Sequence, residues 1–524
     1  MRKYRVSSAY GALLQWRNFR FKLFAESVLV GAVAGGVVVF FRYALENAEV
    51  LRNFLYQMAI KDASWISICG WIGLSLLIAG ILHALVAWEP MASGSGIPQV
   101  KGVLGGVMRM PWLRVLVAKL AGGVTAIGAG LSLGREGPSI QLGAVVGQGI
   151  SRLWGRSRME ERYLLTSGAS AGLAAAFNAP LAGVVFSLEE LHKNFSPAVL
   201  VSAITASLTA TVLSQYFYGE NPVFTFTGVP VFPVSSFGVL LVLGVGMGIL
   251  GAAFNKGLLV TGSLFERLLP VSVFSKALLP LAFAGVFALL LPEVLGGGNG
   301  LVNELTVTNF GFLYLLSLLA AKFFFTLISY GSGVPGGIFL PMLVIGALGG
   351  SLFSYGFVQF GLLDSFYSAN IIIFSMAACF AAVVKSPITG SILIMEMSGA
   401  FHHMLPLVFV SVIAYLTADL LRVQPIYEVL LEKALLKQGK RKAENVQSLR
   451  SIVEVLVCVN SKLAGKQVKQ ISWPSSCLLF SIRRGESEIV PKGETRIEAG
   501  DYLYVAVKNE QVESLQKMAE ESIK

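Results

Sequence analysis

Charge is what this chain has least of. Only 14% of its 524 residues are Asp, Glu, Lys or Arg, while 55% are hydrophobic. Soluble domains carry nearer a quarter charged residues, so a water-soluble globular fold of this size is excluded and a polytopic membrane protein is expected. Cysteine is scarce too. Cys69, Cys379, Cys458 and Cys477 lack metal-ligand spacing and read as reduced thiols filling apolar space. His83, His192, His402 and His403 form no HExxH pattern, and the adjacent pair cannot face one metal as residues four apart on a helix would, so no metal site is expected. No A-x-A-like cleavage site follows the first long apolar run, which therefore reads as an uncleaved span rather than a signal peptide.

What is abundant is uninterrupted hydrophobicity. Low-charge runs occur near residues 23–41, 65–88, 112–133, 197–218, 236–260, 275–295, 310–330 and 404–422, several close to the roughly 20 residues that span hydrocarbon. Four other stretches, 134–153, 163–191, 333–362 and 369–398, mix apolar residues with Pro, Gly and an occasional carboxylate. Irregular backbone at membrane depth is tolerated only inside protein or beside a polar cavity, so these stretches are expected to line the interior. The net charge of +11 is placed at the ends: Arg2, Lys3, Arg5, Arg17, Arg20 and Lys22 precede the first span, and Lys437, Lys440, Arg441 and Lys442 follow the last. That placement argues for two cytoplasmic termini by the positive-inside rule and against a nucleic-acid partner.

Two halves carry the same punctuation. Gly134, Pro138, Gly143 and Gly147 recur as Gly337, Pro341, Gly346 and Gly350, and Pro180, Gly183 and Glu189 recur as Pro387, Gly390 and Glu396, each set with identical internal spacing. Duplicated helix breakers within apolar segments imply two structural repeats of interrupted helices, whose freed N–H groups can face an ion. No Walker A motif is present, so a transporter built this way would be driven by ion gradients.

Three glycine-rich helix entrances stand out. Gly94-Ser95-Gly96-Ile97-Pro98 places a hydroxyl beside a helix start suited to a small anion, or else is an ordinary loop and N-cap. Gly134-Arg135-Glu136-Gly137-Pro138 puts a carboxylate at a second start; inside a membrane such a residue costs roughly 2.5 to 3.5 kcal/mol and usually lines a pathway or has a partner. A carboxylate held where an anion would bind acts as a plug that protonation releases, and the competing reading is an interfacial Arg135–Glu136 ion pair. Gly337-Ile338-Phe339-Leu340-Pro341 is the third, with the Ile338 and Phe339 amides as ion donors. Gly331, Gly333 and Gly336 also fit G-x-G-x-x-G, but Pro335 interrupts it and no soluble βαβ context surrounds it, which rules out dinucleotide binding. Glu189 and Glu190 close an apolar helix, either as a proton relay or as a pair at its aqueous end. Tyr427 closes the last membrane segment, either as a hydroxyl donor or as an interfacial anchor.

The motifs GSGIP at 94–98, GREGP at 134–138, GxFxP at 337–341 and the tyrosine at 427, in this order, resemble the CLC family of chloride channels and proton/chloride antiporters over about residues 25–436. The resemblance implies an all-α polytopic membrane protein of two inverted repeats of broken, tilted helices, forming a homodimer with one pathway per subunit. It implies chloride coordination by Ser95 and Tyr427, with the Ile338 and Phe339 amides, and no cofactor. Glu136 becomes the external gating glutamate near the amides of Arg135 and Gly137, and Glu190 the internal proton-transfer glutamate, whose presence favours antiport over a channel. Ser95 favours chloride over nitrate, GREGP argues against the fluoride-exporting branch, and Gln99 stands where Glu is common.

From Gly439 the composition turns polar, and alternating patterns at Ile452–Val459, Cys477–Ile482 and Tyr502–Val507 predict strands, followed by a helical pattern after Asn509. This tail resembles the TrkA/RCK C-terminal domain, with Ala464-Gly465 and Ala499-Gly500-Asp501 between strands, and implies a small α+β cytoplasmic module that binds a small molecule or ion, or dimerises. The expected organisation is a basic segment at 1–22, a membrane domain at 23–436 with halves near 23–218 and 236–436, a basic linker at 437–449 and the tail domain at 450–524. Chloride, protons and the lipid bilayer are the expected partners, and a prokaryotic inner membrane the expected location. The expected function is proton/chloride exchange with Glu136 as gate; an uncoupled voltage- or pH-gated chloride channel is the alternative, and an intramembrane enzyme using Glu136 with a histidine finds no supporting motif.

Overall fold

The computed structural model describes residues 3–519 apart from 63–64, 194–196, 225, 227–228, 269–271, 309, 438–449, 459–460, 475–476, 485–486, 509–510, 512–513 and 516–517, with residues 3–20, 59–62, 65–68, 450–452 and 508 described by backbone alone. The linker expected at 437–449 falls outside the described residues after Lys437, as do the side chains of Lys3, Arg5, Arg17 and Arg20. The chain divides into two compact units, Met1–Val429 and Leu430–Lys524.

The first unit is helical, and its element order repeats. The first set is α1 Lys3–Asp62, α2 Trp65–Trp88, α3 Ile97–Leu104, α4 Trp112–Gly128, α5 Glu136–Leu153, α6 Arg158–Phe177, α7 Pro180–Phe186 and α8 Pro197–Tyr218. The second is α9 Phe237–Leu268, α10 Val273–Leu290, α11 Asn299–Val307, α12 Phe312–Gly331, α13 Phe339–Gln359, α14 Ser368–Val384, α15 Pro387–Ser398 and α16 Met404–Leu420; α17, Ile426–Lys437, follows. Packing respects the repeat. α5 lies on α6 as α13 lies on α14, and α1 lies on α8 as α9 lies on α16, while α2 meets α10 and α7 meets α15 across the two halves. Among the described residues nine helical segments are long and apolar enough to cross a membrane.

Sequence breaks set the helix ends. The apolar run at 112–133 does not stay helical throughout: α4 stops at Gly128, the Gly130 amide folds back onto the Ile127 carbonyl, and Gly130 takes φ +92°, a left-handed conformation suited to glycine. Likewise α10 ends at Leu290, ahead of Pro292. Left-handed C-caps at Asn178 and Lys385 end α6 and α14 at corresponding points, each two residues before the proline that opens the next short helix. The Pro- and Gly-rich segments are interior, as their composition requires: α5 is buried along nearly its whole length, and so is α14.

The closest packing is between α5 and α6. A Cβ on Gly168 would strike the Gly143 carbonyl and one on Gly172 the Ser139 carbonyl, both backbone atoms that cannot swing aside. Small residues allow this approach where no water is present to drive helices together.

In the second unit, β1 Arg450–Leu456, β2 Leu478–Arg484, β3 Ser487–Ile489 and β4 Tyr502–Lys508 form an antiparallel sheet in the order β1-β4-β2-β3. The first strand ends at Leu456 rather than running to Val459, because the Val457 and Cys458 amides leave the ladder for the carbonyls of Asp501 and Ala519. The short β3 carries no alternation long enough to be read from sequence. Val455, Leu463, Ile482, Leu503, Val505 and Leu515 form the core. Both Ala-Gly sites are turns with positive φ, at Gly465 and Gly500. The Asp501 carboxylate is buried and receives two bonds of 2.8 Å from Arg484 and one of 2.8 Å from the Glu498 amide. Burial alone would raise its pKa, but the bonds from Arg484 and the Glu498 amide outweigh it and hold the group below the ordinary aspartate value of 3.8.

Two outcomes are expected. Gly168→Val should abolish a monodisperse, correctly folded species on size-exclusion chromatography in detergent, since overpacking costs about 1 to 3 kcal/mol or more where only backbone can yield; Gly238→Ala, which meets nothing within 4 Å, should not. Asp501→Asn should destabilise the tail by about 1 to 3 kcal/mol, read by hydrogen exchange on the whole protein. Because the folded pKa is depressed, this contribution is complete above the ordinary aspartate value and is lost as pH falls through the lower folded one.

Candidate functional site

The three glycine-rich entrances meet. The Gly134 amide donates to the Gly337 carbonyl at 2.7 Å and the Gly337 amide returns a bond to Gly134 at 2.8 Å. The Gly94 amide donates to Val334 at 3.2 Å, and the Gly336 amide donates to the Gly94 carbonyl at 3.0 Å. Four backbone bonds thus stitch the starts of α3, α5 and α13 into one knot, and the two repeats join there by an antiparallel bridge between Gly134 and Gly337. Glycine is needed for the approach: a Cβ on Gly337 would lie 3.2 Å from the Gly137 amide.

Around this knot stand the residues singled out from sequence. Glu136 is the first residue of α5 and is fully buried, which rules out an exposed Arg135–Glu136 pair. Its Oε2 accepts from the Leu340 amide of α13 at 3.3 Å, while Oε1 has no partner. The glutamate of one repeat therefore sits on the helix start of the other. The Ser95 hydroxyl is buried, without a partner, and packed on Gly137, whose Cα has no room for a side chain beside it. Ile338 caps α13 and Phe339 is its first residue. Tyr427 lies in the first turn of α17 instead of ending a span, and it is wholly buried with an unpartnered hydroxyl, so it is not an interfacial anchor. It lies within electrostatic reach of Tyr330, Glu136 and Glu190. Arg135 lines a cavity of about 680 Å³ together with Glu46, Glu49, Arg52, Glu293 and Leu340.

The two glutamates after α7 have different surroundings. They lie in a π-helical turn, Ser187–His192, which rotates successive side chains away from the α-helical register. Glu189 reaches across to the start of α15, where its Oε2 accepts from the Thr389 amide at 2.7 Å and hydroxyl at 2.6 Å. Glu396 does the reverse, accepting from the Leu181 and Ala182 amides of α7 at 3.1 and 2.8 Å. Each repeat thus supplies the anion for the other's helix start, an exchange worth about 0.3 to 1 kcal/mol or more per helix where the end is partly buried. Glu190 points elsewhere. It is buried, accepts from Lys101 at 2.7 Å and from the Ser386 hydroxyl at 3.1 Å, and so is not at an aqueous helix end.

Sequence reading passed over Lys101, Lys119, Lys322, Tyr330 and Ser386. Lys119 is fully buried and donates to the Ala92 and Gly94 carbonyls at 2.9 and 2.5 Å; Lys322 does the same to Val294 and Gly296 at 2.9 and 2.8 Å. Each stands fifteen residues before the repeat's first glycine, Gly134 or Gly337, so the duplicated spacing would have found both. Tyr330 hydrogen-bonds the backbone at Ser95. Nothing periodic marks Lys101 or Ser386, because their partner is reached only through the fold.

Among the described residues no cluster of His, Cys, Asp and Glu is arranged to hold a metal. The assembly offers something else: a buried carboxylate on helix amides, two unpartnered hydroxyls and a second buried carboxylate with its own cation. Such a site suits a small anion and a proton.

Comparison with known proteins agrees. Residues 74–419 match the family model described as voltage gated chloride channel, and 452–519 match that of the TrkA-C domain. The H(+)/Cl(-) exchange transporter ClcA of Vibrio cholerae serotype O1 is 37% identical over 436 residues, covering 80% of this chain and 91% of the relative. ClcA of Citrobacter koseri is 33% identical over 446 residues, covering 83% and 93%. The crystal structure of a slow cyanobacterial Cl-/H+ antiporter superposes with a TM-score of 0.74 at 32% identity, covering 80% of this chain and 99% of the other. The chain belongs to the CLC family, with a TrkA-C domain following its membrane part.

Proposed function

We propose that this protein exchanges chloride for protons across the membrane, with Glu136 as both gate and proton acceptor. The observation that carries the reading is Glu136 itself: a fully buried carboxylate with one oxygen on the Leu340 amide and the other unpartnered, at a knot of helix starts. Helix N-termini attract anions, so chloride and the carboxylate compete for the same amides. Protonation removes the carboxylate's claim, and the neutral side chain leaves the position to the incoming ion. The relatives named above are transporters rather than enzymes, and all three bear names of proton/chloride exchangers or antiporters.

Chloride on this route passes the hydroxyls of Ser95 and Tyr427 and the amides of Ile338 and Phe339, with the Arg135 and Gly137 amides facing the outer position. The two hydroxyls are buried without protein acceptors or donors, a costly arrangement that an anion accepting both would repay. Glu190 lies on the proton's inner branch. Its burial and its pairing with Lys101 support that role over a solvated helix end, and a pure channel has no use for it. On this reading the cavity at Arg135 and Leu340 is the outer mouth, and both termini face the cytoplasm, a reading supported by the basic residues before the first span and after the last. The protein works as a homodimer in the bacterial inner membrane, each subunit carrying its own pathway, and the TrkA-C domain binds a small molecule or ion that regulates it.

In liposomes with voltage clamped by a shunt ionophore, an outward chloride gradient should drive protons uphill. Glu136→Gln should cut this proton movement by about 10²-fold or more while chloride still flows, the size expected when a proton carrier is lost. Full coupling in Glu136→Gln would sink the mechanism, and chloride flux without proton movement in the unaltered protein would mean a channel. Chloride affinity by calorimetry in detergent should fall roughly tenfold in Ser95→Ala and in Tyr427→Phe, about 1.4 kcal/mol each.

A further inference from the structure

Glu190 is not paired with its cation alone. The Lys101 ammonium, 2.7 Å from Glu190 Oε1, is also 3.7 Å from Oε1 of Glu428, and Glu428 is bound in turn by Lys193. The four form a line of alternating charge with no net sum. Its two carboxylates differ in depth: the Glu190 side chain is 3% exposed and that of Glu428 is 41% exposed, while Lys101 between them is 8% exposed. Arg162 and His192 act on one another at the same turn, Tyr427 stands within reach of Glu190, and Ser386 holds Glu190 Oε2. Lys193 and Glu428 also act on Glu190 electrostatically.

Proton uptake by Glu190 upsets this balance. The acid form no longer compensates Lys101, and a buried ammonium without a counter-charge is strongly destabilising. Lysine has a flexible stem and a compact charge, so it can follow the negative charge to the nearest remaining carboxylate, and that is Glu428.

Resting on the exchange reading above, we propose that Lys101 is a mobile counter-charge that moves between Glu190 and Glu428 as Glu190 binds and releases its proton. When Lys101 swings outward, Glu190 Oε1 is freed and a proton from the cytoplasmic side bonds to it, turning carboxylate into acid. No other bond forms or breaks. When the proton leaves toward Glu136, the returning carboxylate recaptures Lys101. Glu428 follows Tyr427 directly in the first turn of α17, so the lysine's outward position also loads the turn that carries the anion-site hydroxyl. Lys101 and Glu428 are thus positioning residues for proton transfer.

The test is the pH profile of chloride-driven proton movement by the whole protein in liposomes, compared among wild type, Lys101→Met, Glu428→Gln and the double variant. With Lys101→Met the carboxylate loses its counter-charge and the profile should move about one pH unit alkaline. With Glu428→Gln the lysine stays pinned on Glu190 and the profile should move acid by a similar amount. Because Glu428 acts through Lys101, adding Glu428→Gln to Lys101→Met should change nothing further, whereas independent effects would add. Lys101→Arg, which keeps a charge, should restore most of the wild-type profile. Additive shifts, or unmoved profiles in a wild type that does couple, overturn the relay. A wild type that moves no protons at all overturns the exchange reading instead. Should Lys101→Met fail to yield monodisperse protein, Glu428→Gln decides alone: an acid shift supports the relay and an unchanged profile refutes it.

Discussion

Backbone groups at membrane depth have no water to fall back on, and the structure of the first unit follows from that constraint. Breaking a helix inside a bilayer orphans amides and carbonyls, each costing several kcal/mol if left bare. Here the broken ends satisfy one another. The bridge between Gly134 and Gly337, and the companion bonds between Gly94 and Val334 and between Gly336 and Gly94, consume backbone groups of three loops at once. Lys119 and Lys322 fill the carbonyls that remain, each ammonium solvated by two of them in place of water. Glu189 and Glu396 do the same for the amides at the starts of α15 and α7. Among the buried side-chain groups still unpaired are Glu136 Oε1 and the hydroxyls of Ser95 and Tyr427.

The duplication separates the residues that hold this scaffold from those that use it. Positions serving the backbone occur in both halves: Gly134 with Gly337, Lys119 with Lys322, Glu189 with Glu396. Positions proposed to carry ions do not. Ser95 corresponds to Gly297, Glu136 to Phe339, and Glu190 to Met397. Two-fold structure thus supplies two sets of helix starts at the centre, and one half equips its set with polar side chains while the other closes over it with apolar ones. Phe339 illustrates the division, packing edge-on against Phe380 and Phe186 beside the carboxylate's own helix start.

Adjacent glutamates in one π turn end in different environments because the turn redirects them. Glu189 meets helix amides and serves the scaffold, whereas Glu190 meets Lys101, a charge that is itself shared with Glu428. A carboxylate held by amides has a fixed partner. One held by a flexible ammonium has a partner that can leave, and this difference suits the second for handling a proton.

By itself the sequence determined that the chain is a membrane protein, that it is duplicated, and where its helices break, because hydrophobicity, glycine and proline act locally and leave a readable spacing. The same local signals marked Ser95, Glu136 and Glu190 as residues out of place in apolar segments, and the alternation of the tail announced most of its strands. They did not show where α4 ends, since its run stays apolar past Gly128, nor the three-residue β3. Tertiary structure alone decided which charges meet. Lys101 and Glu190 are far apart in sequence, as are Glu136 and the Leu340 amide, and no period links them. It also decided that Tyr427 is buried at a helix start rather than anchored at an interface. Partnership between buried charges depends on distance in space and on the exclusion of water, and neither exists until the helices have packed against one another.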